Sequence, residues 1–312
     1  MKVSAHSRAW FQIHVCVVLW GFTAILGRLI TLRALPLVWW RMLLVTLALA
    51  VWPPFWRGLR QLPRRLVAVY VGIGALVTLH WITFYGSIKL SNASVAATCM
   101  ALTPVFVSFI EPALARRRPN LTEVGMSVAV LPGVALVVGG TPAGMRDGIL
   151  VGAFSAFLAA LFSTLNKRAI GNSPALAVTG LQMAAGAGLL PAVAWLLPAD
   201  EQVLVRPDLR DALLLFALSI ACTLFPYALA LVALRQLSAF ETTLAVNMEP
   251  VYAIVLAILL LNEQRDLEPG FYVGVALIIG IVFSHPWVRK RRGPAEAGPH
   301  VPEARGPKPE AS

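Results

Sequence analysis

The chain has 312 residues, 58% of them hydrophobic and 13% charged, with a mean hydropathy of +0.75. A soluble domain carries about a quarter charged residues, so this composition excludes a soluble enzyme or binding module and indicates a polytopic membrane protein. The net charge of +11 sits in short segments between apolar runs and after the last one. That is the placement that sets membrane orientation, not one that tracks nucleic acid. Cys16, Cys99 and Cys222 fall inside apolar runs without a shared spacing, so neither disulfides nor a metal site are expected, and no cofactor is called for.

Breaks at charge, proline and glycine clusters predict ten helices, each long enough to cross a bilayer. They cover residues 10–30, 36–56, 66–88, 93–115, 121–140, 148–167, 174–197, 211–234, 239–262 and 269–288. The first lacks a convincing cleavage site and reads as a retained span. Residues 293–312 are rich in Pro, Gly and Ala without apolar periodicity, and read as a disordered tail. With the N-terminus in the cytoplasm, sixteen basic residues fall inside, among them Arg57, Arg60, Arg64, Arg65, Arg116–Arg118 and Arg289–Arg292. Only Arg33, Lys89, Arg146, Arg206, Arg210 and Arg265 fall outside. The bias predicts an inner-membrane protein with both termini cytoplasmic.

Sliding the chain on itself by 146 residues lays Pro104 on Pro250, Ala93 on Ala239 and His80-Trp81 on Pro226-Tyr227. Each half holds five predicted spans, with a proline in the middle of the fourth. The units expected are 1–142 and 143–292, followed by the tail at 293–312. Five is odd, so the halves must insert in opposite senses. Inverted repeats with interrupted helices are an architecture of secondary transporters, with the substrate site near the midplane. The expected fold is therefore all-α: ten transmembrane helices as two inverted five-helix repeats.

Within that frame, the chain resembles the EamA family of the drug/metabolite transporter superfamily. The resemblance rests on Leu19-Trp20-Gly21, Trp40-Arg41, Leu90-Ser91, the mid-span Pro104 and Pro250, and Asn262-Glu263. It implies a central cavity, alternating access, and export of amino acids, drugs or other metabolites. Where the second half has Asn262-Glu263, the first has Arg116-Arg117, so an acid at both repeat ends is not implied.

Glu249 stands in the apolar run 245–261, next to the helix-breaking Pro250. An ionisable group at membrane depth marks a functional site by default, here for a cationic group or a proton, against the plainer reading of a hydrogen-bonded structural acid. Asn247 could satisfy a carbonyl freed by the break. Arg41 must pair, snorkel or face a cavity, and its approximate repeat counterpart is Gln182. His80 could serve a proton or a carboxylate, or simply pack. Trp20, Trp81, Tyr85 and Tyr227 could line an amphipathic cavity, whereas Trp39, Trp40, Trp52 and Trp56 read as an interfacial belt. Asn166 reads as a cap or headgroup contact, Glu111 as a partner of the Arg116–Arg118 cluster, and Gly148/Gly152 and Gly270/Gly274 as close-packing pairs.

The absence of any Gly-Lys dipeptide excludes a Walker A loop. The expected function is transport of a small-molecule substrate, with protons as a candidate coupling ion and zwitterions such as amino acids fitting a site that offers both signs. A lipid-modifying membrane enzyme and an antiporter of the sugar-phosphate or nucleotide-sugar kind are the alternatives.

Overall fold

The computed structural model describes residues 5–116, 118–119, 121–194, 202–233, 236–237, 245–246 and 248–291. Every regular element among them is helical. The first half comprises α1 (Ala5–Leu29), α2 (Ala34–Ala50), α3 (Pro53–Arg60), α4 (Arg64–Leu90), α5 (Ala93–Met100), α6 (Thr103–Ala115), α7 (Leu121–Ala129) and α8 (Leu131–Gly139). The second comprises α9 (Arg146–Ile170), α10 (Ala175–Ala194), α11 (Leu209–Ser219), a π-helical turn at Ile220–Leu224, α12 (Phe225–Ala233), α13 (Glu249–Leu261) and α14 (Pro269–Arg291).

Six of these stretches are long and apolar enough to span a membrane: His6–Leu29, Arg64–Leu90, Ala93–Ala115, Ala143–Ile170, Ala175–Val193 and Leu209–Ala230. A seventh is reached if α2 and α3 count as one bent pair. Ser127–Gly139, Glu249–Leu261 and Pro269–Ile281 are shorter apolar helices. The expected span 36–56 stops early. Trp52 precedes Pro53-Pro54 and is extended (φ −102°, ψ 115°), as a residue before proline prefers. The two prolines then open α3 at its first positions, where a missing N–H costs nothing. The helix axis turns by 90° there. The first residues of the expected span 239–262, and the tail at 293–312, lie outside the described residues.

The break at each mid-span proline has one geometry. In the first half the amides of Ala101 and Leu102 bond three residues back, to Thr98 and Cys99, before Pro104 enters α6 at its second position. In the second half Met248 bonds three residues back to Ala245, and Pro250 is likewise second in α13. Both helices are 13 residues long, and each ends on a residue in the left-handed region, Arg116 (φ 52°) and Asn262 (φ 56°). Every one of these equivalences falls on the 146-residue offset. The backbone therefore repeats, even where the side chains do not.

Packing follows from small residues. α4 and α9 form the most extensive pairing, with α5 and α6 also on α9. At Gly148 and Gly152 an added Cβ would lie 2.5 Å and 2.7 Å from the hydroxyls of Ser91 and Ser87. Bare glycine is what lets these helices approach. α1 packs on α12 and α13, α10 on α2 and α4, and α8 on α14, where Gly274 meets the carbonyl of Gly133. Both expected glycine pairs thus lie at or beside a helix contact, since Gly270 abuts Gly140.

Candidate functional site

α2 carries Arg41 into the interior, where it is 2% exposed. Its Nε donates to Thr223 Oγ1 at 2.6 Å and its Nη1 to Tyr85 Oη at 2.7 Å. The guanidinium also lies over the Trp81 ring, 3.7 Å from the centroid. Trp81 and Tyr85 are one turn apart on α4 and so share a face. The π turn sets the third partner: Thr223 Oγ1 donates to the carbonyl of Leu218, five residues back, and presents its oxygen to Arg41. A buried ion left unpaired costs several kcal/mol, and this cage offsets that with two charge-assisted bonds and a cation–π contact. Among the described residues Nη2 donates no hydrogen bond.

Glu249 is the first residue of α13 and is only half-buried, though protein surrounds it. It lies within the electrostatic reach of Arg41 and Tyr85, yet forms no direct ion pair with Arg41. One interior region therefore holds a cation with donor capacity remaining and a carboxylate held apart from it.

A second polar group closes a triangle. Gln182 on α10 donates to Asn166 Oδ1 at 2.6 Å, Asn166 donates to Tyr227 Oη at 3.3 Å, and Tyr227 donates to Gln182 Oε1. Arg41 and Gln182 each lie seven residues past the first residue of their helices, Ala34 and Ala175. Trp81 and Tyr227 correspond at the 146-residue offset. The pairings Arg41–Trp81 and Gln182–Tyr227 are thus repeat equivalents, charged in one half and neutral in the other. They sit toward opposite ends of the bundle. Tyr85 is near the end where Ser91 abuts Gly148, and Asn166 is near the end where Tyr70 donates to Ser173.

The remaining predicted residues divide. His80 faces α9: Nδ1 lies 2.9 Å from Ser155 Oγ and 3.0 Å from its carbonyl, and the ring packs on Phe162. It joins two helices and makes no hydrogen bond to Arg41. Trp20 packs in a satellite apolar cluster with Ala230 and Ala245. The neighbouring Gly21 brings α1 against Tyr252 of α13, where an added Cβ would sit 3.1 Å from that residue's own. Pro104 and Pro250 stand at the two breaks. Asn247 lies outside the described residues. The indoles of Trp39 and Trp40 donate to the carbonyls of Ala187 and Val205 at 3.1 Å and 2.7 Å. Asn166 is no cap but a member of the triangle. Glu111 pairs with Lys167 of the other half at 3.3 Å.

Two acids of the second half, Glu263 and Asp211, are structural clamps between the halves. Glu263, 2% exposed, accepts from the amides of Ala93 and Ser94 at 3.0 Å and 2.8 Å and from Ser94 Oγ at 2.7 Å. It caps α5 together with Asn92, whose side chain accepts from the Val95 amide. Asp211 accepts from the Thr31 amide at 3.0 Å and from its hydroxyl at 2.7 Å. The Asn92-Ala93-Ser94 sequence signals a helix start, but nothing local announces a capping acid 170 residues away. Among the described residues no group of three His, Cys, Asp or Glu side chains could hold a metal ion.

No curated protein matches the chain. A solved structure titled only "Crystal structure of protein" is 18% identical, with a TM-score of 0.63 over 92% of this chain and 98% of its own. At that identity it speaks for the fold alone. The EamA-like transporter family model matches twice in succession, over residues 8–139 and 146–285. Two such copies, each with its proline-broken helix and its helix-two polar residue set against an aromatic, place the chain in the EamA-like transporter family.

Proposed function

We propose that the chain is a secondary transporter that exports small zwitterionic or amphipathic metabolites of the amino-acid kind, by alternating access around a cavity between the halves. The observation that carries this reading is the caged Arg41 with Glu249 held apart from it. A guanidinium with an unused Nη2 suits a substrate carboxylate. A half-buried carboxylate nearby suits an ammonium group or a proton, and Trp81 and Tyr85 give the apolar walls such sites usually have. The substrate would complete the ion pairing that the protein leaves open. Gln182 and Tyr227 are proposed as the corresponding, uncharged lining at the other end, with Asn247 and Trp20 beside the break in α13.

The same reading takes units of 1–142 and 143–292, a cytoplasmic tail at 293–312, ten spans with both termini cytoplasmic, and residence in the inner membrane. Six long helices, one bent pair and three shorter apolar helices support the span count, and the sixteen-to-six distribution of basic residues supports the orientation.

Reconstitution in proteoliposomes tests it. Wild type is expected to move a radiolabelled neutral amino acid, and Arg41→Gln to lose at least about 90% of that flux, since a desolvated charge-assisted pair is worth roughly 1.5–3 kcal/mol. Glu249→Gln is expected to abolish any pH dependence between pH 5 and 8. Unchanged flux in Arg41→Gln together with an unchanged pH profile in Glu249→Gln would remove both residues from transport.

A further inference from the structure

The corner between α2 and α4 is not spent on the interior. α3 is docked by one face only. Phe55 is buried over Gly180, and Gly58 approaches Pro174 and Ala177 so closely that an added Cβ would sit 3.0–3.1 Å from them. Trp56 Nε1 donates to the Ala50 carbonyl at 2.7 Å, which fixes the indole across the bend. The outward face is of two kinds. Val51 is 82% exposed, Trp52 50% and Trp56 47%, while Arg57, Arg60, Arg64 and Arg65 are exposed beside them.

Where α2 crosses a bilayer, a helix turned by 90° at its end runs along the membrane surface. Indoles then reach the acyl boundary and guanidinium groups reach the headgroups, as in interfacial amphipathic helices. Nothing in the chain answers the charge nearby in sequence: residues 1–110 contain no Asp or Glu. Among the described residues no hydrogen bond or ion pair engages any of the four guanidinium groups.

We propose that the α3 corner is a binding site for an anionic phospholipid, with its phosphate on Arg57, Arg60, Arg64 and Arg65 and its acyl chains along Val51, Trp52 and Trp56. The juxtaposition of an exposed apolar strip with four unanswered cations matches a lipid that carries both features, and a net-neutral headgroup would leave the charge unmet. The site is independent of what the transporter carries, so its test needs no transport assay.

The experiment uses the purified full chain in nanodiscs of phosphatidylcholine with or without phosphatidylglycerol. Co-purifying lipid is read by native mass spectrometry and the unfolding transition by a thermal scan. Wild type is expected to retain phosphatidylglycerol over phosphatidylcholine and to gain thermal stability from it. Each arginine near the surface contributes about fivefold to the binding constant, so Arg57→Gln/Arg60→Gln is expected to weaken retention about 25-fold. Arg118→Gln/Arg168→Gln, which removes the same charge elsewhere, is expected to change it by less than about twofold. Equal retention of the two lipids, equal loss in the second pair, or equal stabilisation by free glycerol phosphate would each overturn the proposal. If the first pair fails to fold, wild type decides alone, because phosphatidylglycerol retention must fall as salt rises and a salt-independent retention overturns the site.

Discussion

Arg41 is held by groups from two helical elements, α4 and the π turn, that converge on it. Tyr85 Oη and Thr223 Oγ1 both point at it, and Trp81 covers its face. A hydrogen bond to a buried charge is worth about 1.5–3 kcal/mol, so Tyr85→Phe and Thr223→Val are each expected to lower stability by about 2 kcal/mol in detergent unfolding. The two share one guanidinium, so the double variant is expected to depart from the sum by at least about 0.5 kcal/mol. Strict additivity would show that they do not act on Arg41 together. The arginine itself was conspicuous in the sequence, as any cation in an apolar run is. Its cage was half legible: Trp81 and Tyr85 stand one turn apart, but Thr223 reaches Arg41 only because a π turn inserts a residue, and no residue type in Ile220–Leu224 announces that.

At the scale of elements, helix starts and stops near proline were legible because proline acts on its own backbone. The breaks at Pro104 and Pro250 fall where their missing N–H requires. The corner at Pro53-Pro54 was in view as well, but the run of apolar residues from 36 to 56 masks a helix that turns without becoming polar. Long-range capping was not legible at all. Glu263 reads as a loop acid because its partners, the amides of Ala93 and Ser94, lie in another span. Removing that carboxylate leaves two buried amides without an acceptor, at about 1–3 kcal/mol each. Glu263→Ala is therefore expected to cost about 2–6 kcal/mol in unfolding free energy and Glu263→Gln, which keeps one acceptor, about half as much. A loss below about 1 kcal/mol in Glu263→Ala would show that water replaces the clamp.

Seen whole, the molecule has two backbones of one plan and two different chemistries. α6 and α13 agree in length, in proline position and in their left-handed last residue, so a repeat that is faint in identity is clear in geometry. Side chains diverge at equivalent positions of the two halves: Arg41 against Gln182, Thr103 against Glu249, and in sequence Arg116-Arg117 against Asn262-Glu263. An offset search finds the plan because prolines are kept, and cannot find the division of labour because that lies in contacts between halves.

The missing acids in residues 1–110 bear on how the protein is made. As residues 1–110 leave the ribosome they carry no carboxylate at all, and the acids that cap Thr31, Ala93 and Ser94 are not yet made. Asp211, Glu249 and Glu263 are translated only with the second half. The first half, whose own acids are Glu111 and Glu123, lacks the carboxylates of Asp211 and Glu263 that cap it until the second half is synthesised. Expressed alone, residues 1–142 are expected to be cleared by proteolysis, and co-expression with 143–312 as a separate chain is expected to restore both to the membrane. Equal steady-state levels of the first half with and without its partner, read by immunoblot, would show that it reaches a stable fold unaided.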